Sequence, residues 1–95
     1  MKVRIHAILT FKEILGAREV DISLPEGATL RDLLSRMVDV WGDTLSPHLF
    51  HPGTDQLLSS VSLMVNGRSM QFLNGIETEL QEGDEVLLLP PVAGG

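Results

Sequence analysis

The stretch TLRDLLSRMVDVWG, residues 29–42, sets Leu30, Leu33, Leu34, Met37, Val38 and Trp41 at the i, i+3, i+4, i+7, i+8 and i+11 positions of one helical stripe. Thr29 stands where a hydroxyl caps a helix, Asp32 stands three residues on in the place of a capping-box acid, and Gly42 stops the run. A helix with one apolar face needs a partner for that face alone, and the flanking sequence supplies strands.

Upstream, residues 2–9 alternate, with Val3, Ile5, Ala7 and Leu9 on one face and Lys2, Arg4, His6 and Ile8 on the other. Val20, Ile22 and Leu24 repeat the period of two in residues 19–24, and residues 11–16 between the runs read as a short turn or helical stretch. The pair predicts a long-looped hairpin. Downstream, residues 43–60 lapse into Pro, Gly, His and Ser, with Leu45, Leu49 and Phe50 as local anchors. This predicts a long loop with one helical turn, the most dispensable segment of the chain. Val61, Leu63 and Val65 restore the alternation and end in Asn66-Gly67, a dipeptide suited to a tight hairpin turn with positive φ. Residues 72–80 are irregular, Glu82-Gly83-Asp84 is a turn, and residues 85–89 form a last short strand. Hairpin, helix, loop, strand, turn and strand make an α+β chain of the β-grasp (ubiquitin-like) layout, a mixed sheet with one main helix on one face.

Ninety-five residues, 43% of them hydrophobic, are enough for one core and one domain. Seven basic against thirteen acidic residues give a formal charge of -6, the wrong sign for gripping nucleic acid or an anionic membrane. The absence of cysteine excludes a disulfide, a zinc-thiolate site, a redox pair and a thiol nucleophile. The start, MKVRIHAILTF, lacks a small-residue cleavage signal, and no apolar run approaches the ~20 residues of a bilayer span, so the expectation is a soluble, cytoplasmic protein. His48 and His51 lack a third ligand nearby and read as solvated loop residues, which leaves no expected metal site. Asp32, Asp39, Asp43 and Asp55 show no spacing that argues for acid-base work, and Gly16 and Gly27 are too scattered for a phosphate loop.

The chemistry points to PPVAGG, residues 90–95. Pro90 and Pro91 lock φ and remove two backbone donors, so a strand must stop there and the chain continues in an extended form. Six extended residues reach roughly 20 Å, enough to enter a neighbour's active site. Gly94 and Gly95 lack a Cβ and can thread a narrow channel with the terminal carboxylate exposed. The expected organisation is therefore a domain over residues 1–89 and a projecting tail over residues 90–95.

GDEVLLLPPVAGG, residues 83–95, resembles the C-terminal signature of molybdopterin synthase small subunits, with FKEILG at 11–16 and LMVNGR at 63–68 matching two further landmarks of that family. Residues 43–60 are longer than the connector of its most compact members, and the last strand reads LLL where aromatics are frequent. The resemblance implies that the last strand pairs beside the first and that the tail leaves from the middle of the sheet. It also implies a reaction cycle. A ubiquitin-activating-type enzyme adenylates Gly95 with Mg-ATP, a sulfur donor protein displaces AMP, and the thiocarboxylate is presented to the large subunit of molybdopterin synthase. Gly95 then carries the reacting carbonyl, Gly94 gives it passage, and Pro90, Pro91, Val92 and Ala93 lie along the partner. No cofactor is bound by this chain, and the partners supply the catalytic groups. Three alternatives stay open: a modifier joined to protein lysines, a carrier for thiazole or tRNA thiolation, and an interaction module with an inert tail.

If Val3, Ile5 and Ala7 meet the helix, the opposite face presents Ile8, Met64, Leu87 and Leu89 beside Arg4 and His6, with no second helix to cover them. Such a patch is expected to dock the activating enzyme and the large subunit in turn. The competing expectation is that the long loop folds over it.

Overall fold

The computed structural model describes residues 1–90; Pro91, Val92, Ala93, Gly94 and Gly95 lie outside the described residues. The chain runs β1 (Lys2–Ala7), α1 (Leu9–Leu15), β2 (Glu19–Ser23), α2 (Leu30–Trp41), β3 (Ser62–Val65), β4 (Arg68–Ser69) and β5 (Glu85–Leu89). Short 3-10 turns fill the connections at Gly42–Thr44, Ser46–His48, Met70–Phe72 and Gly75–Glu77. The sheet order is β2-β1-β5-β3-β4, a mixed sheet in which β1 and β5 are parallel and the other neighbours antiparallel. The last strand is thus central and beside the first, as the resemblance implies.

The capping box of α2 forms in full. The Thr29 hydroxyl accepts the Asp32 N–H at 3.3 Å, and the Asp32 carboxylate accepts the Thr29 N–H at 2.9 Å. Leu30, Leu33, Leu34 and Met37 are completely buried, whereas Val38 and Trp41 at the end of the stripe are partly buried against the same core. The helix covers the sheet face carrying Val3, Ile5, Ala7, Ile22, Leu63, Val65, Val86 and Leu88, all buried. At the hairpin turn Asn66 and Gly67 both have positive φ, 51° and 84°, as a two-residue turn that follows the strand twist requires. Asn66 also ties this turn to the one before β5: its amide nitrogen donates to Asp84 Oδ1 at 2.9 Å, and its oxygen accepts the Glu85 N–H at 3.0 Å.

Two expectations need correction. Leu9 does not continue β1. The strand ends at Ala7, and Leu9 opens α1 with φ 52° and its side chain 64% exposed. Alternation in sequence carries no signal of where the backbone turns, so the period of two simply ran past the true end. Residues 43–60 are also more than a dispensable loop. Leu45 and Leu49 are fully buried and Phe50 nearly so, which makes the segment a lid on the core beside α2. Arg31 holds the lid from α2, bonding Asp55 within it and Glu77 in the last 3-10 turn, each at 3.2 Å.

Among the described residues no buried side-chain polar atom lacks a partner. Buried Thr78, whose hydroxyl donates to the Gly75 carbonyl at 2.7 Å, also accepts the Leu30 N–H on its own carbonyl at 2.9 Å. The irregular return to β5 is thereby fastened to the start of α2.

Two stability measurements check this packing. Leu49→Ala should lower the unfolding free energy by about 3 kcal/mol in urea titration, since it opens a cavity in the core. Thr29→Ala should cost about 1 kcal/mol through loss of the cap, with the helix retained by circular dichroism.

Candidate functional site

The face of the sheet opposite α2 is built by register. Glu19, His6, Leu87, Met64 and Ser69 are successive Cα partners across the five strands, so their side chains share one side. Because Ile5 and Val86 on either side in sequence point into the core, this row points out. Met64 and Leu87, both partly exposed, form the floor of an open depression of about 920 Å³ that is also bordered by Ile8, Leu9, Lys12 and Arg18.

Ile8, Met64 and Leu87 thus line one depression. Leu89 is partly buried, pairs with Ser62 and lies beyond the lining of the depression. No residue of 43–60 lines the depression, because Leu45 and Leu49 are spent on the core on the helix side. Among the described residues nothing covers the apolar patch, and residues 43–60 do not fold over it. Pro90, placed with the tail from sequence, is buried at the end of the central strand. Pro91, Val92, Ala93, Gly94 and Gly95 fall outside the described residues.

The β2 side of the face is a belt of charge. Arg4 Nε donates to Asp21 Oδ1 at 3.0 Å and Arg4 Nη1 lies 3.8 Å from Glu19 Oε2. The hydrogen bond from the Arg4 guanidinium holds the Asp21 carboxyl below its ordinary range, and the same bond raises Arg4 in turn. His6 sits between two carboxylates, its Nε2 2.5 Å from Glu85 Oε1 and its Nδ1 3.6 Å from Glu19 Oε1. Pairs this exposed to water add little to stability, and their effect is to fix which charges border the apolar floor. His48 and His51 are exposed on the lid, and no group of three or more His, Asp or Glu side chains arranged to hold a metal occurs among the described residues. No helix among the described residues is long and apolar enough to cross a membrane.

Sequence reasoning missed Leu9, Lys12 and Arg18 as part of this face. Lys12 and Arg18 reach it because α1 and the turn before β2 lie beside the C-terminal end of β1, where the Ala7 N–H donates to the Arg18 carbonyl at 2.8 Å, and no periodicity reports that placement. The arrangement contains no nucleophile with an adjacent base. It offers an apolar surface bounded by charge, next to the strand that leads into PPVAGG.

The comparisons agree with that architecture. The ThiS family matches over residues 9–95. Small archaeal modifier protein 3 of Haloferax volcanii is 33% identical over 95 residues, covering all of both chains. The molybdopterin synthase sulfur carrier subunit of Chlamydomonas reinhardtii is 25% identical over 96 residues, again covering all of both chains. The solution structure of small archaeal modifier protein 1 from Methanosarcina acetivorans superposes with a TM-score of 0.86 at 29% identity, covering 99% of this chain and 96% of that one. A whole-length match in sequence, joined to a β-grasp sheet with its last strand central, places this chain in the ThiS family of ubiquitin-like sulfur carriers and modifiers.

Proposed function

We propose that this protein is a sulfur carrier that serves as the small subunit of a molybdopterin synthase. The observation that carries the reading is the course of β5: a central strand, flanked by an open apolar face, leads directly into PPVAGG. A carboxylate is inert to nucleophiles until its oxygen becomes part of a leaving group. In the proposed cycle the Gly95 carboxylate attacks the α-phosphorus of Mg-ATP on a ubiquitin-activating-type enzyme and expels pyrophosphate. A donor protein then supplies sulfur at the sulfide level to the acyl carbon, and AMP departs with the C–O bond. The thiocarboxylate enters the large synthase subunit, whose side chains direct the transfer to a pterin precursor.

Gly94 and Gly95 suit this because neither presents a Cβ to the walls of a channel. The lack of cysteine also fits, since an internal thiol would compete for the activated acyl group. Ile8, Met64, Leu87 and Leu89 would receive the two enzymes in turn, and Mg-ATP binds to the activating enzyme alone. A second reading, conjugation of the diglycine to protein lysines, is favoured by the whole-length identity to a small archaeal modifier protein.

Mass spectrometry of the untagged protein from its own cells separates the two. Exchange of one oxygen for sulfur on the C-terminal peptide is the expected result. Branched diglycine on foreign lysines would move the assignment to a modifier, and neither product in growing cells would rule out both. Deleting Gly95 should abolish adenylation while leaving the thermal melt nearly unchanged, because a single residue at a chain terminus adds little to the stability of a folded core. Replacing Ile8 or Leu87 with Glu should weaken binding to the activating enzyme by at least about tenfold, checked by calorimetry, as expected for a charge forced into an apolar contact.

A further inference from the structure

Asparagine followed by glycine is a chemically labile pair. The glycine backbone nitrogen, with no Cβ beside it to hinder the approach, can attack the asparagine side-chain amide and expel ammonia. The chain has two asparagines, Asn66 and Asn74, and each is followed by glycine. Both asparagines are exposed to water. Composition therefore makes the two pairs equivalent, and any difference between them comes from the fold.

The fold grips Asn66 at both ends of its side-chain amide. Nδ2 donates to Asp84 Oδ1 at 2.9 Å and Oδ1 accepts the Glu85 N–H at 3.0 Å, while the Asn66 N–H donates to the Glu85 carbonyl at 2.8 Å. Asp84 is itself fixed, its Oδ2 accepting the Gln81 N–H at 2.8 Å. The amide carbon of Asn66 must break two bonds before it can turn toward Gly67. Asn74 is held differently. It stands at the head of the 3-10 turn Gly75–Glu77, and its side chain caps nothing. Its backbone alone is engaged, the N–H donating to Thr78 Oγ1 at 3.0 Å and the carbonyl accepting the Glu77 N–H at 3.1 Å. Among the described residues its side-chain amide makes no hydrogen bond and is free to rotate.

We infer that Asn74 is a site of spontaneous deamidation in the folded protein, and that the clasp of Asn66 on Asp84 and Glu85 shields the second Asn-Gly pair. In the first step the Gly75 nitrogen bonds to Asn74 Cγ, the Cγ–Nδ2 bond breaks, and the Gly75 proton departs with Nδ2 as ammonia. Water then opens the resulting succinimide at either carbonyl. One product is aspartate, which keeps the backbone and suits the head of a turn. The other is isoaspartate, which routes the main chain through Cγ and adds one methylene between the Asn74 nitrogen and the Gly75 carbonyl. Those two groups are bridged by the Thr78 hydroxyl, which accepts from the first and donates to the second at 2.7 Å. Thr78 is buried, and its carbonyl accepts the Leu30 N–H at 2.9 Å. Isoaspartate at position 74 thus loosens the fastening between the return to β5 and the start of α2.

Ageing the purified full-length protein at mildly alkaline pH tests this, with peptide mass spectrometry at both sites and isoaspartate counted by enzymatic methylation from labelled S-adenosylmethionine. In the folded protein Asn74 should convert at least about tenfold faster than Asn66, the factor expected when one amide must first break a hydrogen bond to a carboxylate. In urea the two rates should converge. Asp84→Ala should speed conversion at Asn66 and leave the Asn74 rate unchanged, which also reports that the variant stays folded. Asn74→Asp should melt with the wild type, whereas the isoaspartyl fraction separated by ion exchange should melt lower. Equal rates in the folded protein, or an Asn74 that converts only in urea, would overturn the assignment. An Asn66 rate unmoved by Asp84→Ala would remove the shielding clasp, and an isoaspartyl fraction that melts with the wild type would remove the link to Thr78.

Discussion

The parallel pairing of β1 with β5 is the constraint on which the rest of the molecule hangs. Parallel neighbours cannot be joined by a tight turn, so everything between them must serve as a crossover. That crossover holds α2, the lid of residues 43–60 and the β3–β4 hairpin, and it closes the core on one side of the sheet only. With its other side left uncovered by the described residues and its last strand in the middle, the sheet presents an apolar surface beside the strand that leads into the tail. The pairing thus produces both the stability of the body and the geometry of the site.

Much of this was legible because the signals were local. The stripe from Leu30 to Trp41, the cap at Thr29 and Asp32, and the turn at Asn66-Gly67 each depend on residues within a few positions of one another. The pairing of β1 with β5 joins residues about 80 positions apart, and it came from family resemblance. Residues 43–60 were misjudged because Leu45, Leu49 and Phe50 show no period; their burial follows from where the helix end leaves the core open. Leu9 shows the opposite failure, a residue that fits a period and yet departs from the strand. The apolar floor was readable as the back of each strand, but Lys12 and Arg18 at its border come from α1 and the turn before β2, so their place there exists only after folding.

The division of labour follows from composition as much as from shape. With no cysteine and with His6 engaged by two carboxylates, the body carries no side-chain nucleophile poised for catalysis among its described residues. What the body can vary is recognition, through the few side chains around one depression. Family members on the same fold can therefore differ in partner while the sheet and helix stay the same, which fits a family whose members include both modifiers and sulfur carriers.

The central position of β5 also has a mechanical side. A force applied to the tail loads β5 along its own axis, between β1 and β3, with ladder hydrogen bonds on both flanks. Those bonds bear the load together as a shear, whereas an edge strand pulled away from its sheet would open one bond at a time. The Asn66 contacts to Asp84 and Glu85 add a clasp at the far end of the same strand. A pull along the end of β5 would therefore meet the combined resistance of both ladders, which an edge strand in the same sheet could not offer.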